Sequence, residues 1–199
     1  MITPGRLIAF EGLDQSGKQT QAAWLAEALQ QAGCAVHTLS FPDYATTIGV
    51  EIGQALLGQR TYGADVLQLL YIANRYEYAG RIRGWLADGA MVVADRYAAS
   101  SLAYGEALGL DVSWLTDTQR LLPPADLTLV LDIAPETSLE RKRAARDRFE
   151  RDLPLLARVR DSYRRQARAS GWHLIDGTQP PEAVRAEVTA AVQARLGRL

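Results

Sequence analysis

Seven residues carry the first recognisable chemistry: Gly12-Leu13-Asp14-Gln15-Ser16-Gly17-Lys18, in the spacing G-x-x-x-x-G-K. The segment follows the apolar run Leu7–Phe10 and precedes a helical pattern, Gln19–Gln31. Between a strand and a helix, such a loop cradles phosphate: glycines turn backbone N–H groups inward, and the helix N-terminus adds a partial positive charge. Lys18 then offers a full charge to the β and γ phosphates, which makes residues 12–20 an ATP-binding segment. This pattern ordinarily places Ser or Thr after the lysine to bind Mg²⁺. Here Gln19 stands there and Thr20 follows. The Gln19 amide oxygen can ligate Mg²⁺ or hold a metal-bound water. An ordinary Gly-rich turn is the plain alternative.

Further sites follow other strand-like runs. Asp95-Arg96-Tyr97 comes directly after Met91–Ala94. A carboxylate there can hold Mg²⁺ through water, and an arginine can bridge two phosphates. A structural ion pair is the other reading. Tyr71 and Arg75 lie four residues apart on a helical pattern, so they share a face; alone, they fit a core aromatic beside a surface arginine. Arg141, Arg143, Arg146, Arg148 and Arg151 crowd one stretch with Asp147. That is either a solvated basic face or a lid that closes cations over a transferring phosphoryl group. His37 and His173 fall in strand-like runs and read as structural, so no nucleophile–histidine–acid set is evident.

These residues need strands and helices to hold them. The sequence predicts strands at Leu7–Phe10, Ala35–Leu39, Met91–Ala94, Leu127–Ile133 and His173–Ile175. It predicts helices at Gln19–Gln31, Ile48–Leu57, Val66–Leu86, Leu102–Leu108, Val112–Leu122, from Pro135, Leu155–Ala169 and Pro181–Leu196. Short apolar strands alternating with helices imply a parallel sheet covered on both faces, a doubly wound α/β fold. Ligands of such folds bind at the carboxyl ends of the strands. The residues above follow strands.

The 199 residues are 48% hydrophobic, which suits one sizeable domain spanning 1–199. A formal net charge of −1 argues against a general nucleic-acid binder. Of the 22 basic residues only Lys18 and Lys142 are lysines, which singles out Lys18. The single cysteine, Cys34, allows no internal disulfide and reads as a small buried hydrophobe. No stretch approaches the roughly 20 apolar residues of a membrane span. The expectation is a cytoplasmic protein with no membrane or nucleic-acid partner.

With the phosphate loop, six further segments carry a resemblance. They are Phe10-Glu11-Gly12-Leu13-Asp14, Phe41-Pro42-Asp43, Tyr71-Ile72-Ala73-Asn74-Arg75, Asp95-Arg96-Tyr97, Asp147-Arg148-Phe149-Glu150 and Ile175-Asp176-Gly177-Thr178. In this order and spacing the chain resembles the bacterial thymidylate kinases, from Leu7 to about Val192. The resemblance implies a five-stranded parallel sheet flanked by helices, a short mobile lid at about 141–151, a homodimer, and transfer of a phosphoryl group from Mg²⁺-ATP to dTMP. It implies that Arg96 binds phosphate and Asp95 supports the metal. Tyr71 becomes the platform for the thymine ring, and Arg75 the contact to the base or acceptor phosphate. Asp14 accepts from the sugar 3′-OH, Phe41 walls the sugar, and Ser101 lies beside the base near Tyr104. Lys18 and the lid arginines Arg143, Arg146 and Arg148 complete the catalytic set, because the loop itself carries Gln15 and no arginine.

The chain departs from the family at three places. Tyr44 stands where relatives commonly carry an arginine for the acceptor phosphate, Gly105 follows Tyr104 where many carry Gln, and Gln19 replaces Ser or Thr. Two alternatives therefore stay open: a nucleotide-binding protein with weak or no kinase activity, and a kinase for another pyrimidine monophosphate.

Overall fold

In a computed structural model of the chain, residues 5–141 and 152–197 are described. The lid arginines Arg143, Arg146 and Arg148 lie outside the described residues. The strands are β1 (Arg6–Gly12), β2 (Val36–Ser40), β3 (Met91–Asp95), β4 (Leu127–Asp132) and β5 (His173–Asp176). The helices are α1 (Lys18–Gln31), α2 (Thr47–Leu56), α3 (Ala64–Ala87), α4 (Ala98–Ala107), α5 (Val112–Gln119), α6 (Pro135–Arg141), α7 (Leu153–Ser170) and α8 (Pro181–Leu196). The strands form one parallel sheet in the order β2-β3-β1-β4-β5. The expected five-stranded doubly wound α/β fold is therefore present.

Side-chain alternation along β1 divides the core between two faces. Ile8 and Phe10 pack with Val93, Leu129, Leu131 and Ile175 against α1 and α8. Leu7 and Ala9 face the other way, with Val92 and Ala94, toward Ala79 and Ile82 of α3. Beside them Leu13 and Val130 meet α4 and α7 through Ala99, Ala103, Leu156, Val159 and Tyr163. Two steps beyond Ala9 on the same side comes Glu11, a carboxylate with no solvent exposure.

Two helix boundaries and one burial differ from the expectation in ways that bear on the site or the core. Helix α4 begins at Ala98, not Leu102, so Ser100, Ser101 and Tyr104 sit inside it. Its first turn has no local side-chain cap. Glu11 supplies one from far along the chain: its Oε1 accepts from the backbone N–H of Tyr97, 86 residues on, at 2.8 Å and of Ser100, 89 residues on, at 3.2 Å. Helix α5 stops at Gln119, and a turn from Gln119 to Leu122 leads into Pro123. Cys34 is half-buried against the α1/α8 core, not fully enclosed.

Candidate active site

The phosphate loop forms because β1 ends against β4. Gly12 pairs in register with Leu131 and has φ +129°. A Cβ there would lie 2.4 Å from the Leu131 carbonyl oxygen, so a side chain has no room. Gly177, after β5, also packs close, though less tightly: an added Cβ would stand 2.9 Å from the Ile133 side chain and 3.2 Å from the Ser16 carbonyl. The loop is thus held between the ends of three strands. Gly17 opens α1 as its N-terminal boundary residue, with Lys18 in the first turn. Lys18 is buried, and its Nζ donates to Leu13 O and Asp14 Oδ1, both at 3.3 Å.

A second cation reaches the same carboxylate from 82 residues away. Arg96 Nη2 donates to Asp14 Oδ1 at 2.7 Å. Arg96 leaves β3 with φ +65°, a left-handed conformation costing on the order of 1–2 kcal/mol in a non-glycine residue. Its N–H bonds Phe10 O at 2.8 Å. The turn carries the chain from β3 into α4 while its side chain spans Asp14, Ser100 Oγ at 3.2 Å and the Tyr104 ring, whose centroid is 5.4 Å away.

Beside this ion pair opens a cavity of about 220 Å³. Asp14, Phe41, Tyr44, Tyr71, Arg75, Arg96, Ser101 and Tyr104 line it, with Pro42, Leu56, Gln68, Ser100 and Leu108. All eight residues expected at the acceptor from the resemblance therefore meet in one cavity. Arg75, a surface residue on the simpler reading of its periodicity, is 2% exposed. Its Nη1 donates to Ser101 Oγ at 2.7 Å and to Tyr71 O at 3.3 Å. Tyr44 is 51% exposed, at the outer edge of this lining.

A family model for thymidylate kinase matches residues 10–188. The chain belongs to the thymidylate kinase family. It is an enzyme of dTMP phosphorylation. A thymidylate kinase of Thermomicrobium roseum is 37% identical over 196 residues, covering 93% of both chains. One of Thiobacillus denitrificans is 36% identical over 203 residues, covering 97% of this chain and 98% of that one. The solved thymidylate kinase of Candida albicans superposes with a TM-score of 0.81 at 28% identity, covering 96% of this chain and 92% of that one.

Charge at the family's phosphate loop is tightly coupled. Burial would raise the Asp14 carboxyl, but Arg96 and Lys18 hold it well below the usual carboxylate range. Burial and the nearby Arg96 push Lys18 down, against the attraction of Asp14 and Asp95. The Asp14 charge overcomes burial at Arg96 and raises it well above its ordinary value.

Two orphaned polar atoms accompany these cations. Ser16 Oγ and Asp95 Oδ1 are buried without a hydrogen-bond partner among the described residues. Buried polar atoms normally find partners, so each marks a place for a ligand atom or water. Gln19 and Thr20 are exposed in the first turn of α1. Among the described residues no group of three or more His, Cys, Asp or Glu side chains is placed for a metal. Mg²⁺ characteristically takes one or two protein ligands plus waters and substrate phosphates, and the orphaned Asp95 Oδ1 has the chemistry to accept from a metal-bound water.

Three residues have roles that the sequence reading did not assign. Glu11 accepts at Oε2 from Ser100 Oγ at 2.6 Å and from Tyr163 OH at 2.9 Å, which ties β1, α4 and α7 together beneath the cavity. Burial raises its carboxyl above the ordinary value, against hydrogen bonding and the charges of Arg96 and Arg75. Glu11 lay in a recognised segment, where a charge amid an apolar run was the available signal. Tyr163, in a helical pattern, gave none. Arg141 was noted within the arginine stretch; it donates to Gln15 O and to Gly177 O, both at 3.1 Å, and so clasps the phosphate loop from outside.

Proposed function

We infer that the chain transfers the γ-phosphoryl group of ATP to dTMP, giving dTDP and ADP, with the phosphate loop as donor site and the adjoining cavity as acceptor site. The observation that carries this reading is the meeting of Lys18 and Arg96 on one oxygen of Asp14, at 3.3 and 2.7 Å, where the loop joins the cavity. Two cations at that junction suit two phosphorylated substrates meeting end to end.

The protein's part is positioning and charge neutralisation. Backbone N–H groups of residues 12–18 cradle the donor's phosphates, and Lys18 places its ammonium on the β and γ oxygens. Arg96 bridges the acceptor phosphate and the transferring group. Asp14, while held by both cations, keeps them aimed at the junction and accepts from the sugar 3′-OH. Tyr71 stacks on the base, Phe41 walls the sugar, and Tyr44 donates one hydrogen bond at the rim. Arg75, Ser101 and Tyr104 surround the base. Bound Mg²⁺ would neutralise charge on the β- and γ-phosphates, held by Asp95 and Gln19. Arg143, Arg146 and Arg148 complete the set as lid cations.

The reading includes a homodimer. Val50, Leu57, Val66 and Leu69, on and just after α2 and on α3, are apolar side chains left exposed, which supports a partner on that side. Cytoplasmic location belongs to it as well, where ATP is available. Among the described residues no helix is long and apolar enough to cross a membrane.

The test is ADP formation from ATP and Mg²⁺ with dTMP, against dUMP, dCMP, dGMP and AMP. Turnover with dTMP well above the rest is the expected result. Turnover with none, alongside ATP binding, would sink the reading and direct attention to Gln19 and Tyr44.

A further inference from the structure

One wall of the cavity holds a group that nothing above uses. Gln68, on α3, is 2% exposed, and its Oε1 is buried without a hydrogen-bond partner. It lines the same cavity as Tyr71 and Arg75. Spacings of three and four residues put Gln68, Tyr71 and Arg75 on one helix face. Buried carbonyl oxygens ordinarily have a hydrogen-bond partner, so this one marks a place for a donor from a ligand.

The identity of that donor follows from the neighbours. The phosphate-facing cations, Lys18 and Arg96, gather at the Asp14 end of the cavity. A carbonyl oxygen is repelled by phosphate, so Gln68 faces another part of the acceptor. On its own helix face stand an aromatic ring and a guanidinium. Arg75 can only donate, and its Nε is also buried without a partner. A face with one donor and one acceptor beside a stacking ring matches a pyrimidine imide, which offers a carbonyl oxygen and a ring N–H.

We propose that Gln68 Oε1 accepts the ring imide N–H of the acceptor nucleotide and thereby selects thymine and uracil over cytosine. Cytosine carries a lone pair at that ring nitrogen, which would face the Gln68 oxygen and leave it unsatisfied. The 5-methyl group is not read by this contact, so Gln68 does not separate dTMP from dUMP. The proposal rests on the cavity being the acceptor site, and it assigns the base contact that Gly105 cannot provide.

The experiment is a cycle on the full chain with two acceptors, dTMP and dCMP, whose ring nitrogen carries a lone pair in place of the N–H. Wild type should bind dCMP about 10-fold or more weakly than dTMP, in the range one buried hydrogen bond supports. Gln68→Met, which keeps length and removes the acceptor, should shrink that gap by about 10-fold. A folded Gln68→Met variant that retains the full wild-type gap overturns the proposal. Should that variant fail to fold, Gln68→Leu, a second side chain without an acceptor, decides by the same reading: a shrunken gap sustains the proposal and an unchanged gap overturns it. Failure of wild type to turn over dTMP at all would instead strike the acceptor-site reading, and the two failures are thus separable.

Discussion

The donor and acceptor ends of the site are built by different means. The phosphate loop is one contiguous run, residues 12–18, whose work falls mainly to backbone N–H groups and one lysine. The acceptor cavity gathers side chains from α2, α3, α4 and the segments after β1, β2 and β3. Under it lies a buried polar network, Glu11, Ser100 and Tyr163, which reaches the cavity through Ser100 and its partner Arg96. A backbone site tolerates change in most of its side chains. A network site transmits change, because each partner removed leaves another buried polar atom unsatisfied.

Lys18→Ala gives the largest expected effect, since it removes the loop's one positively charged side chain. The loss in kcat should be about 10³-fold or more, while the melting temperature stays within a few degrees, because Arg96 still neutralises Asp14. A variant with substantial turnover would break the assignment of the loop as donor site.

Arg96→Met comes next, with kcat/KM for dTMP falling roughly 10²- to 10³-fold. It carries a pH signature too. The Asp14 carboxyl is depressed in the folded state, so its contribution to stability is full above its ordinary value of 3.8 and fades as pH falls below it. Arg96→Met weakens that depression, so unfolding free energy should drop less steeply in acid than in wild type. Chemical denaturation at several acidic pH values measures the slope.

Glu11 separates the two ends of the site most clearly. Glu11→Ala strands two backbone N–H groups and should cost about 2–4 kcal/mol of stability. It should raise KM for dTMP more than KM for ATP. Glu11→Gln keeps one oxygen for those N–H groups and can donate from its amide to Ser100 and Tyr163. Because the folded carboxyl is raised above its ordinary value of 4.5, wild type loses stability as pH rises from there toward the folded value. Glu11→Gln should abolish that loss. An equal pH slope in wild type and Glu11→Gln would refute the buried, raised carboxyl.

Tyr163→Phe is the smallest perturbation. One hydroxyl leaves Glu11 and Ser100, and roughly 1 kcal/mol of stability should go with it. ATP affinity should not change.

The same contrast explains what could be read in advance. The five strands and the sheet were legible, because apolar runs and helical periodicity are local signals. So was the phosphate loop, whose chemistry needs neighbouring residues in fixed order. Tyr71 and Arg75 were visible as a pair but not as buried; their burial depends on α4, which brings Ser101 to Arg75. The start of α4 was misplaced by four residues because its cap, Glu11, lies on β1. Arg141's grip on the loop was hidden for the same reason: Gln15 and Gly177 are adjacent to it only in space. Gln68 gave no signal in the sequence, since an orphaned oxygen is a property of the packed cavity.

The strand order has a consequence for how the molecule is made. The first strand written, β1, is the middle of the sheet, and its partners begin at Met91 and Leu127. During synthesis Ile8 and Phe10 must wait, apolar and unpaired, until both partners have left the ribosome. The phosphate loop, though it follows the first of these strands, is therefore among the last sites to mature, because Gly12 needs the Leu131 carbonyl beside it. A nascent chain halted before β4 has the motif but not the site. Pairings of such sequence separation are slow and leave intermediates open to aggregation, so the vulnerable period of this protein's life falls before its donor site exists.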